Sequence, residues 1–587
     1  MAATYPITGI QTGITPPSVP LRLEVDSWYP GTTEEHLLQN SLFLWALKLF
    51  QEREPDEKLS YFQISGIHGS PYEPWDEDTD AMTANEGYCT HDSLLFPCWH
   101  RPYIILFEQI LHDIMVTEVL PMLPEDLPSP DQKQKWFDAA NNFRLPYWDW
   151  AQKKPRRDGL IYDIPIIAMN PMIEVVNLST GLRLEIENPM YKFRMPNNER
   201  MGCEGIGDVQ DIAPFSKSRA TSRWAPYEPE STHVTRAWEE GEVDNEKITE
   251  ALNKHHCAVD RLFAIWQALN VKNSRNWFQH WDEQLKDDGT WSIPKDTIDT
   301  PATPLAPFHT DTIGTYHTSD GIKDWQKFGY SYPELQPWLP QYNSNGEFDV
   351  NLYIADIRNQ LRALYQPSYL PTPRVSQGLK SPQLSAHDYI INVQYKRHVS
   401  RFALEGVPYT LYFFICPESD LERYKGPLHQ HQNHVGFVYT FSSPIYKNRG
   451  APGCHNCRRK AAEGTKSRAQ LPITGALVAH IRRLSHEQQG SGHEQTPGLG
   501  LDFMSNYLEN NLHWRVGTHG YSGALPPDGR PQPNGRAGNT PSYDDFIQVS
   551  VYHRNAWFDD NTNSEPYELL ENVTRNKLGG FRHLPRI

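Results

Sequence analysis

Three histidines in the N-terminal part of the chain, His68, His91 and His100, are candidate metal ligands. Neutral imidazole binds copper, zinc and iron. His68 follows an apolar run and precedes a glycine, which commonly ends a helix. His91 and His100 would lie on opposite sides of a single helix at about 100° per residue, so they converge only if His91 is in a loop and His100 begins the helix that follows Pro97. A buried histidine that only makes hydrogen bonds is the alternative interpretation for each.

A fourth candidate ligand, His256, lies in an amphipathic segment at residues 246–269. It shares a helical face with apolar residues, so its side chain is expected to point inward. Those apolar residues are Leu252, Val259, Phe263 and Trp266. His255 is offset by about 100° and is the alternative ligand. Asp260 lies one turn further on and can orient a neighbouring imidazole or an arginine.

The elements that must position these side chains are of two kinds. Apolar residues recur at helical spacing in residues 34–53, 103–119 and 246–269, and they predict a helical bundle. From about residue 389 the hydrophobic pattern changes to short runs in which apolar and polar residues alternate, and such runs predict strands. These runs are residues 389–395, 409–415, 434–441 and 546–553. The expected fold is therefore a mainly α helical-bundle domain that carries the histidines, followed by a C-terminal all-β domain.

The predicted domain boundaries follow from the same change in hydrophobic pattern. The helical domain is expected over residues 1–336, a polar linker over 337–388 and the β domain over 389–587. Residues 490–543, rich in Gly, Pro and Asn, predict a long loop or a partly disordered insertion in the β domain.

The composition argues against several classes of function. A net charge of −17 repels nucleic acid and anionic membranes, so neither is expected as a partner. No apolar run reaches the roughly 18 residues of a membrane-spanning helix, and the first residues lack the pattern of a secretory signal. The 7 Cys are few and odd in number for this length, which favours an intracellular, cytoplasmic protein over a disulfide scaffold.

The segment GYCTHDSLLFPCWHRPY at residues 87–103 resembles the first copper-binding motif of tyrosinases and related polyphenol oxidases. Further segments resemble fungal members of that family, in the same order along the chain. They are LPYWDW (145–150), HHCAVDRLFAIWQALN (255–270), TPLAPF (303–308) and GYSYPEL (329–335). The resemblance covers most of the chain.

The resemblance implies a site in which two copper ions, each held by three histidines, bind dioxygen between them. It implies that His68, His91 and His100 hold the first copper and that Cys89 is linked to His91 by a thioether. Phe96 would then pack beside the copper pair. The reaction implied is o-hydroxylation of monophenols, oxidation of o-diphenols to o-quinones, or both. The partners are thus a phenolic small molecule and O2.

The second copper site is incomplete in this sequence. The family's HHxxxD motif maps the third ligand of that copper to His256, but the other two ligands are a pair of histidines four residues apart. No two histidines of the chain have that spacing. KITEALNK at residues 247–254 resembles an earlier helix of the family and runs straight into His255, which indicates that the segment with the pair is deleted. His233 and His280 are the nearest spare histidines and are expected at the surface, while His309 and His317 flank a family-like segment that carries no ligands.

The function therefore has three alternatives. The first is a copper-dependent polyphenol oxidase, and the second is a dioxygen carrier such as hemocyanin, which uses the same centre. The third is a catalytically impaired or inactive copper-binding relative, or an incomplete product of a tyrosinase gene, which the missing pair supports directly.

A CxxC motif stands in the β half, at Cys454 and Cys457. Redox, zinc-binding and plain loop interpretations compete for a lone CxxC. The resemblance implies a role in copper loading, where soft thiolates suit Cu(I) and a copper chaperone is a possible partner. His429, His431 and His434 could add ligands, or could belong to a solvated loop. The resemblance also implies an aromatic residue that enters the substrate pocket, with the candidates Phe437, Tyr439 and Phe441.

Overall fold

A computed structural model describes eighteen stretches of the chain that fall into two compact units, the first ending at Tyr365. The described residues of the first unit are 3–68, 74–76, 88–90, 94–124, 130–149, 165–193, 249–272, 297–344 and 346–365. Those of the second are 387–396, 409–424, 428, 431–439, 466–478, 480–481, 500–518, 547–555 and 567–577.

Helices build most of the first unit. They are α1 (Val25–Trp28), α2 (Glu34–Glu52), α3 (Tyr61–Gly66), α4 (Phe96–Ile114), α5 (Pro130–Asn142), α6 (Thr249–Leu269) and α7 (Val350–Tyr365). Local sequence sets their starts. Thr33 caps α2, because its side-chain oxygen accepts a hydrogen bond from the His36 N–H, and Pro97 lies in the first turn of α4.

Aromatic side chains join the helices of this unit into one core. The ring of Phe50 on α2 lies 5.5 Å from the rings of both Tyr61 on α3 and Phe107 on α4. Such edge-to-face contacts are favourable beyond the area that they bury. They bring α3 beside α4, and two of the candidate ligands lie on or just after these helices.

Three two-stranded antiparallel hairpins complete the first unit. Their strands are β1 (Met172–Val176) with β2 (Arg183–Glu187), β3 (Pro304–His309) with β4 (Tyr316–Thr318), and β5 (Asn343–Ser344) with β6 (Glu347–Phe348). Phe308 of β3 packs its ring 5.0 Å from that of Trp99 on α4, so this hairpin lies against the first turns of α4.

The second unit contains two antiparallel sheets that share a hydrophobic core, and a smaller cluster lies on the other face of β8. The first has the order β10 (Lys466–Pro472), β7 (His387–Lys396), β12 (Ile547–Asn555), β13 (Glu568–Leu569), and the second the order β11 (Leu512–Thr518), β8 (Tyr409–Ile415), β9 (His434–Tyr439). Buried residues face each other across the strands, as in Val393 opposite Val549 and Phe413 opposite Trp514. Such cross-strand pairs stabilise a sheet.

The predicted fold class is confirmed: a helical domain precedes a domain with sheets. The β domain also contains helices α8 (Glu418–Arg423), α9 (Leu501–Asn511) and α10 (Glu571–Lys577). The predicted insertion at 490–543 is wrong over residues 501–518, which form α9 and β11. The glycines and prolines around these residues obscured the apolar positions Met504 and Leu508, which are buried on α9.

The predicted linker at 337–388 is wrong over residues 337–365, which belong to the helical unit. Helix α7 buries Ile354 and Ile357, and its last residue, Tyr365, donates a hydrogen bond to Asp149, with 2.6 Å between the oxygens. Prolines before α7 and its many polar residues gave the segment the composition of a linker. Among the described residues, none of the helices is long and apolar enough to span a membrane.

Replacing Ile357 with alanine should lower the free energy of unfolding of the helical unit by about 2–5 kcal/mol, because the side chain is fully buried. The matched control is Leu364→Ala on the same helix, where the leucine is 41% exposed and a much smaller loss is expected. Urea unfolding of the full chain measures both. Equal losses for the two variants would show that α7 is not packed on the helical unit.

Candidate metal centre

His68 lies in the turn that follows α3, as its glycine context predicted. Ser60 caps this helix, since its hydroxyl oxygen accepts a hydrogen bond from the Gln63 N–H. The His68 N–H donates to the Ser65 carbonyl oxygen at 3.2 Å, which fixes the turn. The imidazole stacks on the Tyr103 ring, with 5.7 Å between centroids and 25° between planes.

His100 lies in the first two turns of α4 and is buried. Its Nδ1 is 2.6 Å from the Phe96 carbonyl oxygen. A carbonyl oxygen can only accept, so Nδ1 carries the proton and the Nε2 lone pair is left for a metal. That Nε2 lies 3.3 Å from His68 Nε2 and 3.5 Å from Cys89 Sγ.

His256 completes the group from α6, and its side chain is buried. Its ring centroid lies 4.7 Å from those of both His68 and His100. The ligand atoms of all three side chains lie within 4.8 Å of one another. We call these three residues the trihistidine cluster. Two of its members were assigned to the first copper by the resemblance and one to the second, yet the structure brings them into a single group.

The walls of the cluster are largely aromatic. The Phe96 ring lies 4.4 Å from the His100 ring, and Trp99 and Phe308 extend the same wall. Phe96 thus lies beside His100, and its place next to a copper pair stays a prediction. The hydroxyl of Tyr103 is buried and has no hydrogen-bond partner among the described residues.

The inward position predicted for His256 agrees with the structure, but the predicted helical face does not fully agree. Trp266 is 38% exposed, while Asp260 and Arg261 on the other flank are buried. The predicted face was based on apolar residues alone. It therefore left out charged residues, which are buried because they form ion pairs.

Asp260 holds α6 against α4 and the N-terminal segment. Its carboxylate accepts from Arg101 Nε at 2.6 Å, from Arg22 Nη1 at 3.2 Å, and from the hydroxyls of Tyr330 and Tyr332 at 2.7 and 2.6 Å. Burial by itself would raise the pKa of Asp260. The two arginines outweigh burial and hold that pKa below its ordinary value. The carboxylate therefore stays ionised inside the core.

Glu108 of α4 extends this network. It forms a two-point ion pair with Arg22, with nitrogen–oxygen distances of 2.9 and 3.1 Å, and it also accepts from the Leu145 N–H at 2.6 Å. Arg22, Arg101 and Glu108 were not among the residues predicted from the sequence. The signal was present, since a charged residue within an apolar helical run needs a partner if the run is buried.

Several candidate residues lie outside the described part of the chain. They are His91, the side chain of His255, His233, His280, His429, Cys454, Cys457, Phe441 and the side chain of Tyr439. The Cys89–His91 thioether and the copper-loading role of the CxxC therefore stay predictions.

The other candidate residues from the sequence contact groups outside the trihistidine cluster. His309 Nδ1 lies 2.7 Å from a carboxylate oxygen of Asp76, and His317 Nε2 lies 2.9 Å from the Ile7 carbonyl oxygen. In the β unit, His431 Nδ1 accepts a hydrogen bond from the Asn433 N–H at 3.1 Å. The other two described candidates are His434, which begins β9, and Phe437, which is 56% exposed on that strand.

Comparison with known proteins identifies the family. The model of the common central domain of tyrosinase matches residues 58–254, and the model of the tyrosinase C-terminal domain matches residues 388–528. A tyrosinase of Podospora anserina is 30% identical over 61% of this chain and 68% of its own length. The chain belongs to the tyrosinase family. A tyrosinase of Aspergillus fumigatus is 28% identical over 85% of this chain and 87% of its own length.

Solved structures of the family share the fold. The melB holo-protyrosinase of Aspergillus oryzae superposes with a TM-score of 0.56 at 20% identity, and the superposition covers 97% of each chain. The central-domain match of this tyrosinase-family chain ends at residue 254, directly before His255 and His256.

The residues present fit copper, the metal of the family. Three buried imidazoles are a donor set that copper accepts, and one of them has its tautomer fixed by a backbone carbonyl. Among the described residues, the trihistidine cluster is the single group of three or more His, Cys, Asp or Glu that could hold a metal ion.

Replacing Asp260 with asparagine should lower the free energy of unfolding at pH 7 by about 3–5 kcal/mol, because buried Arg101 loses its counter-charge and Arg22 keeps only Glu108. The lowered pKa means that the ionised carboxylate stabilises the protein above about pH 3.9 and loses that effect as pH falls further. The difference between wild type and variant should therefore shrink below about pH 4.

The control is Asp324→Asn, which removes an exposed carboxylate 4.0 Å from Lys327 in the same unit. It should change stability little at any pH. Denaturant unfolding across a pH series measures all three proteins. A difference that does not depend on pH would contradict the electrostatic role of Asp260.

Proposed function

We propose that this tyrosinase-family chain is a copper protein of the polyphenol oxidase type that, with the sequence it has, binds close to one copper ion and has little or no phenol oxidase activity. Family membership supports the type of chemistry. The phenolic substrate and O2 belong to the proposal, as does the choice among o-hydroxylation, o-diphenol oxidation or both.

One observation carries the proposal. The chain has no two histidines four residues apart, and its described residues form a single three-imidazole group instead of two. A second copper held by His256 alone would lack two of its three ligands. Since losing even an indirect partner of a metal ligand costs about 10–100-fold in affinity, such a site would bind copper very weakly.

The chain's own residues prepare the site for a metal. The Phe96 carbonyl holds the proton on Nδ1 of His100 and so presents the Nε2 lone pair. The Asp260 network fixes the backbone that carries His100 and His256. The rings of Phe96 and Trp99 pack against the His100 imidazole and bury it. When bound, a pair of copper ions supplies the two electrons that convert dioxygen into an oxidant of phenols, whereas one Cu(I) supplies a single electron.

The proposal gives the CxxC motif of the β unit a role in copper loading. Cys454 and Cys457 would pass Cu(I) to the histidines, directly or from a copper chaperone, because thiolates are soft ligands that suit this ion.

Purified protein loaded with excess copper and then desalted should retain about one copper per chain and should oxidise catechol at a rate close to background. Inserting the family's missing segment between Lys254 and His255 should raise the copper content to two and produce catechol oxidation, because it restores the histidine pair. Elemental analysis and quinone absorbance are the measurements.

The matched control is the same insertion with both histidines of the pair changed to alanine, which should stay at one copper without activity. Two coppers per chain and catechol turnover in the uninserted protein would contradict the proposal.

A further inference from the structure

We propose that His387 and His553 of the β unit bind a zinc ion, with Glu568 as the third ligand. The three residues lie on the neighbouring strands β7, β12 and β13. None of them belongs to the trihistidine cluster or to the CxxC motif. The inference therefore does not depend on the proposed function.

The register of the sheet places the three side chains on one face. In an antiparallel sheet, residues directly opposite each other share a face, and so do residues two positions apart on one strand. Tyr389 of β7 is opposite His553, so His387, two residues earlier, lies diagonally from His553 on that face. On the other side of β12, Glu568 is directly opposite His553. His553 therefore has one candidate ligand on each side.

The distance between the two imidazoles suits a shared ion. Zinc binds an imidazole nitrogen at about 2.0–2.1 Å, so the ring centres of two histidines on one tetrahedral zinc lie about 5.2 Å apart. The ring centroids of His387 and His553 are 5.4 Å apart. Glu568 is exposed, so rotation of its side chain can bring the carboxylate to the pair. Two imidazoles and a carboxylate are a donor set that zinc accepts.

Both imidazoles have a buried nitrogen that lacks a hydrogen bond. Among the described residues, the Nδ1 atoms of His387 and His553 have no partner. His553 as a whole is 8% exposed, and a buried polar atom without a partner is unfavourable unless a ligand satisfies it. Burial and the neighbouring His387 lower the pKa of His553 below its ordinary value, so its imidazole is neutral at pH 7 and has a lone pair for a metal.

An ion pair on the opposite face holds the same strands in place. Arg554 of β12 lies 3.3 Å from a carboxylate oxygen of Asp388 on β7, and its guanidinium lies over the Tyr567 ring, 4.4 Å from the centroid. The Tyr567 hydroxyl, directly before β13, donates a hydrogen bond to Asp388. These contacts fix the strand ends that carry the three candidate ligands. Little reorganisation is therefore needed for binding, and pre-organised ligands bind a metal more tightly.

The test is equilibrium dialysis of the full-length protein against Zn²⁺, with the bound zinc counted by elemental analysis. His387→Ala and His553→Ala should each bind one zinc ion fewer than the wild type. The double variant should also lose one ion and not two, because both side chains bind the same ion. Circular dichroism of each apo-protein checks folding, and His553→Gln, which keeps a polar side chain, is a second version of the key variant.

The carboxylate is tested separately. Glu568→Gln should weaken the binding of that ion by more than about tenfold, because a direct ligand contributes more than a residue that only orients one. Glu571→Gln, which removes another exposed carboxylate three residues later, is the matched control and should bind zinc like the wild type. Wild-type affinity in Glu568→Gln would overturn the role of Glu568. An unchanged zinc count in folded His387→Ala and His553→Ala, or a loss of two ions in the double variant, would overturn the shared site.

Discussion

The ion pair between Arg101 and Asp260 is the interaction on which the metal centre depends. Arg101 follows His100 directly on α4, and Asp260 lies one turn after His256 on α6, so the pair fixes two ligands with one contact. Arg22 and two tyrosine hydroxyls satisfy the remaining acceptor positions of the carboxylate. A buried charge with all its partners is tolerated, whereas removal of one partner leaves an uncompensated charge in the core. The network therefore specifies a single arrangement of α4 against α6.

This arrangement keeps three candidate ligands together in a chain that has no two histidines four residues apart. The helix with His256 is held by Asp260 and not by the absent histidine pair. His256 consequently remains beside His68 and His100, with ring centroids 4.7 Å away from both. If the chain binds one copper as proposed, its low activity follows from the number of metal ions and not from loss of the fold.

Sequence patterns predicted the helices and strands whose apolar residues recur at regular spacing, such as α2, α6, β8 and β12. They missed α7 and α9, because each buries only a few apolar residues and lies among prolines, glycines and polar residues. His68, His100 and His256 were identified individually as candidate ligands, but the sequence could not show that they form one group. That grouping depends on the angle between α4 and α6, which buried ion pairs set through residues far apart in the chain, as with Arg22 and Asp260.

X-ray absorption at the copper edge tests the central claim most directly, because it counts the neighbours of the metal without reference to activity. Copper-loaded protein is expected to show a shell of about three imidazole nitrogens near 2.0 Å and no metal–metal scattering. A copper–copper shell at about 3.5–4 Å would contradict the account, because it would show that other residues complete a second site.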